Sequence, residues 1–224
     1  PRFNNTVRVP GQRAVAEMVG KAPAVPRTSG RPYKQRSRKI AQPDGTTDDE
    51  IVTREQDLPA HEFPTLWTEA LDDLMTAYDE VCAYSCFRIH PVTGARSVDH
   101  MAPKSQTWDQ VYEWGNYRLC SSLLNSRKHN FGDVLDPFEV VDGWFVLELV
   151  GFQVLPNPTL DEGTKRQVWD TIERLGLNGA DFRNSREYDV NNYENGVPLV
   201  VLIEESPFVA KELARQGRRR LENT

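Results

Sequence analysis

Cysteine is scarce: three in 224 residues, an odd number and too few for a disulfide framework, which fits a reducing compartment. Long apolar runs are missing too. No stretch approaches the ~18 consecutive apolar residues that a membrane-spanning helix needs, so no membrane role is expected. The opening Pro1-Arg2-Phe3-Asn4 does not read as a secretory signal. These absences together point to a cytoplasmic protein. Apolar residues reach only 38 % and the mean hydropathy is -0.59, so a modest core with exposed segments is expected. No internal repeat is present, and no zinc finger or helix-turn-helix that would read a base sequence.

Charge is unevenly placed. The net charge is -6, yet residues 1–40 hold ten Lys/Arg against Glu17 alone, about +9, which leaves 17 basic against 32 acidic residues elsewhere, or -15. Recurring prolines (Pro10, Pro23, Pro26, Pro32) and scattered glycines predict an extended basic arm and linker over 1–62, with at most a short helix at 14–19. Composition leaves two readings open: a solvated tail, or a segment that orders on a phosphate backbone or an acidic partner.

Folded structure is predicted from about Phe63 to the end, 63–224. Trp67, Ala70, Leu71, Leu74, Met75, Tyr78 and Val81 recur at helical steps, with Thr65 as a candidate N-cap. A hairpin is predicted from Phe87–His90 and Ala95–Asp99 around the turn 91–94, and a helix from Asn116 to His129. Downstream, 144–150 reads as a buried strand, 164–175 as a helix stopped by Gly176, and an apolar run over 197–203 precedes a helix that starts at Pro207 and ends in Arg218-Arg219-Arg220. The implied class is α+β.

Within the strand, strand and helix of about 86–130 lie the groups that phosphodiester hydrolysis needs. Asp99 and His100 are neighbours at a strand end, so their side chains diverge. Asn125 and His129 are four apart, which on a helix puts them on one face. A carboxylate, an amide oxygen and an imidazole suit Mg, Mn, Ni or Zn, and such an ion can neutralise a scissile phosphate. A neutral imidazole off the ion can take a proton from water. His100 and His129 can divide those roles, and Asn116 sits where loop meets helix.

Asp99-His100, then Asn116, then Asn125-Ser126-Arg127-Lys128-His129 resembles the signature of the HNH (ββα-metal) nucleases. The resemblance implies a ββα-metal core inside a mostly helical domain. It makes His100 the general base with Asn116 orienting it, and Asp99, Asn125 and His129 the ligands of a divalent ion, magnesium first among the candidates. Val98–Ser105, Tyr112–Leu119 and Thr171–Asn178 with Arg186 are similar to one subgroup, the PtuB-like HNH effectors of Septu anti-phage systems, some of them retron-linked. That likeness implies a DNA-cutting effector partnered by a PtuA-like ABC/SMC-type ATPase, with RNA or tRNA as an alternative target. The acidity outside the arm favours delivery by a partner. A non-catalytic docking subunit with the same fold, and a stand-alone restriction or homing enzyme, are the competing readings.

One departure from that family concerns zinc. Cys82 and Cys86 are spaced one residue too far for the usual first pair, and Ser121 and Leu124 stand where the second pair would fall. No structural zinc is therefore expected. Cys82, Cys86, His90 and Cys120 as an improvised ligand set is the lesser alternative to cysteines that simply pack as small core residues. Lys104 and Arg127 are open between phosphate contact and plain surface, Asp133 and Asp136 are candidate partners for His129, and His61 reads as a linker residue.

Overall fold

The computed structural model describes residues 2–218, so Arg219 and Arg220 of the C-terminal basic cluster lie outside the described residues. The class is α+β, with helices and three two-stranded sheets among the described residues. The chain divides into two compact units, one made of Pro1–Leu74 and Val98–Arg118, the other of Met75–Ser97 and Leu119–Thr224.

The first unit corrects the extended arm. A π-type turn over Asn4–Arg8 runs into α1, Val9–Met18, with Pro10 in the first turn where its missing N–H costs nothing. Val7, Ala14, Val15, Met18 and Val19 are buried. Gly11 lets the helix touch an aromatic ring: a Cβ there would stand 2.2 Å from Tyr112 Cγ. Strands β1 (Ser37–Ala41) and β2 (Thr47–Ile51) pair antiparallel, Ser37 opposite Ile51 and Ala41 opposite Thr47. The charge asymmetry is neutralised inside this unit. Arg2 pairs with Asp73, Arg8 with Glu113, Lys21 with Glu55, Arg27 with Glu17, Arg36 with Glu62, Arg38 with Glu50 and Asp57, and Lys39 with Asp49. Seven of the ten cations of residues 1–40 thus meet a carboxylate, and Arg13 donates instead to the Val25 carbonyl at 2.8 Å.

The expected helical face around Trp67 is present, as a 3-10 stretch, Leu66–Ala70, leading into α2, Leu71–Ala77, with Trp67, Ala70, Leu74 and Met75 buried. Thr65 precedes it without a side-chain cap.

Strand, strand and helix do follow one another, but not where expected. Strand β3 is Arg96–His100, β4 is Tyr117–Ser121, the two form a sheet, and α3 is Ser122–Lys128. Phe87–His90 does not pair with the later strand: Arg88 makes a single antiparallel bridge with Val81, with Ile89 N–H donating to the Glu80 carbonyl, and Arg88 N–H goes to the Glu205 carbonyl. The helix starts late because Ser121 caps it, its hydroxyl accepting from Leu124 N–H at 3.3 Å, which leaves 117–121 to pair as a strand.

In the second unit β5 (Phe145–Leu147) pairs antiparallel with β6 (Val154–Pro156). The strand expected over 144–150 ends early because the Glu148 carboxylate takes the amides of Val150 and Gly151 and turns the chain. Helix α4, Glu162–Leu175, matches expectation: Asp161 caps it by accepting from Thr164 N–H at 3.0 Å, and Gly176 ends it with φ 60°. Helices α5 (Ala180–Glu194), α6 (Leu199–Glu205) and α7 (Pro207–Arg215) follow. Leu147, Val190, Tyr193, Leu202, Val209, Ala210 and Leu213 form one buried apolar cluster.

Candidate active site

The first unit holds Asp99, His100 and Asn116. Strand β3 turns the Asp99 and His100 side chains to opposite faces, and they are 2 % and 8 % exposed. His100 Nε2 lies 3.0 Å from the Val111 carbonyl oxygen. A carbonyl only accepts, so Nε2 carries the proton in that contact, and in the neutral ring Nδ1 holds the lone pair. Tyr117 donates its hydroxyl to the same carbonyl at 2.8 Å. Trp67 and Tyr117 both meet the imidazole edge-on, with centroids 4.9 and 5.2 Å away. The ring is fixed on both sides and in its tautomer.

Asn116 acts one step back. Its Oδ1 accepts from Ala102 N–H at 2.7 Å, and its Nδ2 donates to the carbonyls of Ala102 and Gln110, each at 3.1 Å. One amide thus staples both ends of the 102–110 loop, and the residue after that loop presents the carbonyl that holds His100. Asn116 therefore orients His100 through backbone, with no direct bond to the ring. Met101 N–H donates to the Asn116 carbonyl and closes the loop base. The residues between that loop and Asn116 are held in turn: Phe3 meets Trp114 edge-on at 5.3 Å, and the Tyr112 hydroxyl donates to Pro64 O. Lys104 places its ammonium 4.1 Å above the Trp67 ring, and burial lowers its pKa.

The second unit holds Asn125 and His129. Asn125 Nδ2 donates to Ser97 Oγ at 2.6 Å. His129 does not continue the helical face expected of it. Helix α3 ends at Lys128, and His129 is its cap, at φ 46° and ψ -118°, exposed, its N–H still donating to the Asn125 carbonyl. Such a backbone is rare outside glycine and costs on the order of 1–3 kcal/mol. The structure thus places His100, at the end of β3, against a loop that Asn116 braces, and Asn125 against Ser97.

Other singled-out residues have plain roles. Arg127 caps α4, donating to the carbonyls of Leu175 and Gly176 at 3.2 Å with its guanidinium over Phe182. Asp133 pairs with Arg174, and Asp136 Oδ1 accepts from Phe138 N–H. His61 is exposed beside Glu62. The three thiols are unpaired with one another: Cys82 and Cys120 are buried, and burial pushes the Cys86 thiol up to about 11. His90 is exposed and its Nδ1 accepts from Val92 N–H at 3.3 Å.

The sequence did not disclose Trp67, Tyr117 and the Val111 carbonyl as neighbours of His100. Trp67 and Tyr117 read as ordinary core aromatics, and a backbone carbonyl has no signature. No protein-family model and no curated protein matches the chain. No helix among the described residues is long and apolar enough to cross a membrane. Among those residues no group of three or more His, Cys, Asp or Glu side chains could hold a metal. The set inferred here counts one Asp and one His, its third donor being an amide.

Proposed function

We propose that the chain is a metal-dependent HNH-type nuclease in which His100 takes the proton from the attacking water. The observation that carries this reading is the bond from His100 Nε2 to the Val111 carbonyl, on a loop stapled by Asn116. Here the carbonyl holds the proton on one nitrogen, so the other is the basic atom, as a general base requires. Asn116 is the positioning residue.

The resemblance assigns the ion to Asp99, Asn125 and His129, and a carboxylate, an amide and an imidazole are donor types that suit a divalent cation, the unusual His129 backbone supporting a role for that residue beyond packing. Magnesium is the first candidate and Mn, Ni or Zn the others; when bound, the ion supplies positive charge for the scissile phosphate and the departing oxygen.

DNA is the proposed substrate, with RNA the alternative. The chain acts as the effector subunit beside a PtuA-like ATPase in anti-phage defence, in keeping with the PtuB-like motifs. The neutralised N-terminal cations support this arrangement, since a nuclease with few available Lys/Arg needs delivery to its substrate.

The test is cleavage of plasmid and RNA by the purified chain, alone and with its co-purifying proteins, in Mg or Mn. His100→Ala is expected to lower the rate by ~10²–10⁴ while calorimetry shows ion binding retained. Wild-type cleavage by the folded variant defeats the assignment.

A further inference from the structure

We propose that a cavity in the second unit binds a small amphipathic anion, its apolar body inside the cavity and its carboxylate-like head on Arg186. The inference stands apart from the nuclease reading and does not rest on it.

The cavity measures about 410 Å³, within the range of small-molecule sites. Its walls are mostly apolar, with Leu135, Val140, Phe145, Leu175 and Phe208 among the lining residues, and Arg186 lines it as well. Arg186 is 2 % exposed and lies on α5 in line with Phe182, Val190 and Tyr193, where the helix otherwise buries apolar groups. Its Nη1 donates to Phe152 O at 2.8 Å and its Nη2 to Leu177 O at 2.5 Å. A guanidinium has five N–H donors and a full positive charge, and two neutral carbonyls balance neither. Burial accordingly lowers its pKa to about 10, and the one titratable neighbour acting on it is the Cys86 thiol, pushed up to about 11.

The other charged groups lining the cavity already have partners in the protein. Lys211 pairs with Asp142 at 2.7 Å. Glu212 accepts from Leu147 N–H with one oxygen and is held by Arg215 through both. Among the described residues, Arg186 is thus the charge lining this cavity that lacks a counter-ion. An isolated buried charge is costly, and truncating its side chain would be the simplest remedy. A bound carboxylate answers the charge in the fork geometry arginine favours, and the apolar walls select what is attached to it. A neutral ligand of the same shape would leave the charge unanswered.

The probes are decanoate and decanol, which share a chain and differ in the head, titrated by calorimetry into the full chain. Decanoate is expected to bind at one site per chain and about tenfold or more tighter than decanol, the margin of a charge-assisted bond. Arg186→Gln should bring decanoate down to the decanol level. Val140→Trp, filling the cavity at its half-buried rim, should weaken both. Equal affinity for the two probes, unchanged binding in either folded variant, or no binding by the wild type overturns the proposal. Should Arg186→Gln fail to fold, the probe ratio and Val140→Trp decide.

Discussion

The two units use positive charge differently. In the first, cations sit near the surface and meet carboxylates: Arg27 with Glu17, Arg38 with Asp57, Arg8 with Glu113. In the second, Arg127 and Arg186 reach inward and meet backbone carbonyls, around an apolar cluster drawn from β5, α5, α6 and α7. Exposed ion pairs are each worth little and are screened by salt, whereas buried apolar groups are worth several kcal/mol and are not. Both units bury apolar residues and both carry ion pairs, so the difference lies in where buried arginine is placed and in the single apolar cluster that joins β5 to the last three helices.

That contrast can be broken by experiment. The largest effect is expected in the second unit: Leu213→Ala, fully buried in the cluster, should cost about 2–5 kcal/mol in denaturant unfolding. A loss below 1 kcal/mol would show that the cluster is not what holds the helices. In the first unit, Gly11→Val drives a side chain into the Tyr112 ring and should cost about 1–3 kcal/mol, with amide exchange rising across 101–116. Exchange unchanged there would mean that α1 does not brace the loop.

Asn116→Ala leaves the amide of Ala102 and the carbonyls of Ala102 and Gln110 without their partner, for a loss of about 1–3 kcal/mol. Its cleavage should fall through kcat, with ion affinity held. Weaker ion binding with kcat intact would place Asn116 on the ion instead.

The smallest effect tests the ion pairs. The Glu17 carboxyl is held below its ordinary value, chiefly by the Arg27 side-chain hydrogen bond and also by Tyr33 N–H. A depressed folded-state pKa means stability that is present above 4.5 and lost as pH falls from there through the folded value. Arg27→Met should cost about 1 kcal/mol or less at neutral pH and flatten that acid-side loss. An unchanged acid limb would show that the pair does not contribute.

Legibility followed the same division. Helix α4 could be read from Asp161, the row Val168, Ile172 and Leu175, and Gly176, because caps and periodicity are local. The candidate site was proposed from spacing alone, Asp99-His100, Asn116 and Asn125…His129. Pairing was not legible. Nothing in the sequence tells Arg8 that its carboxylate is Glu113, and so the arm read as loose. Helix α5 went unread because its inward row, Phe182, Arg186, Val190, Tyr193, has an arginine where an apolar residue would mark the face. The shift of His129 off the helix followed from a cap geometry that a four-residue spacing does not encode.

The division of the chain has a consequence for synthesis. The first unit is closed by residues up to Arg118, whereas α5, the first of the cluster-forming helices, begins only at Ala180. At ~5–20 residues per second the segment between them takes roughly 3–12 s, long on the time scale of folding of a small domain. His100, its Val111 carbonyl and the Asn116 staple can all be in place while the cluster-forming helices exist only as message. The ribosome thus delivers the braced His100 before the core of the second unit, and a chain that stalls midway would carry a finished loop on an unfinished protein.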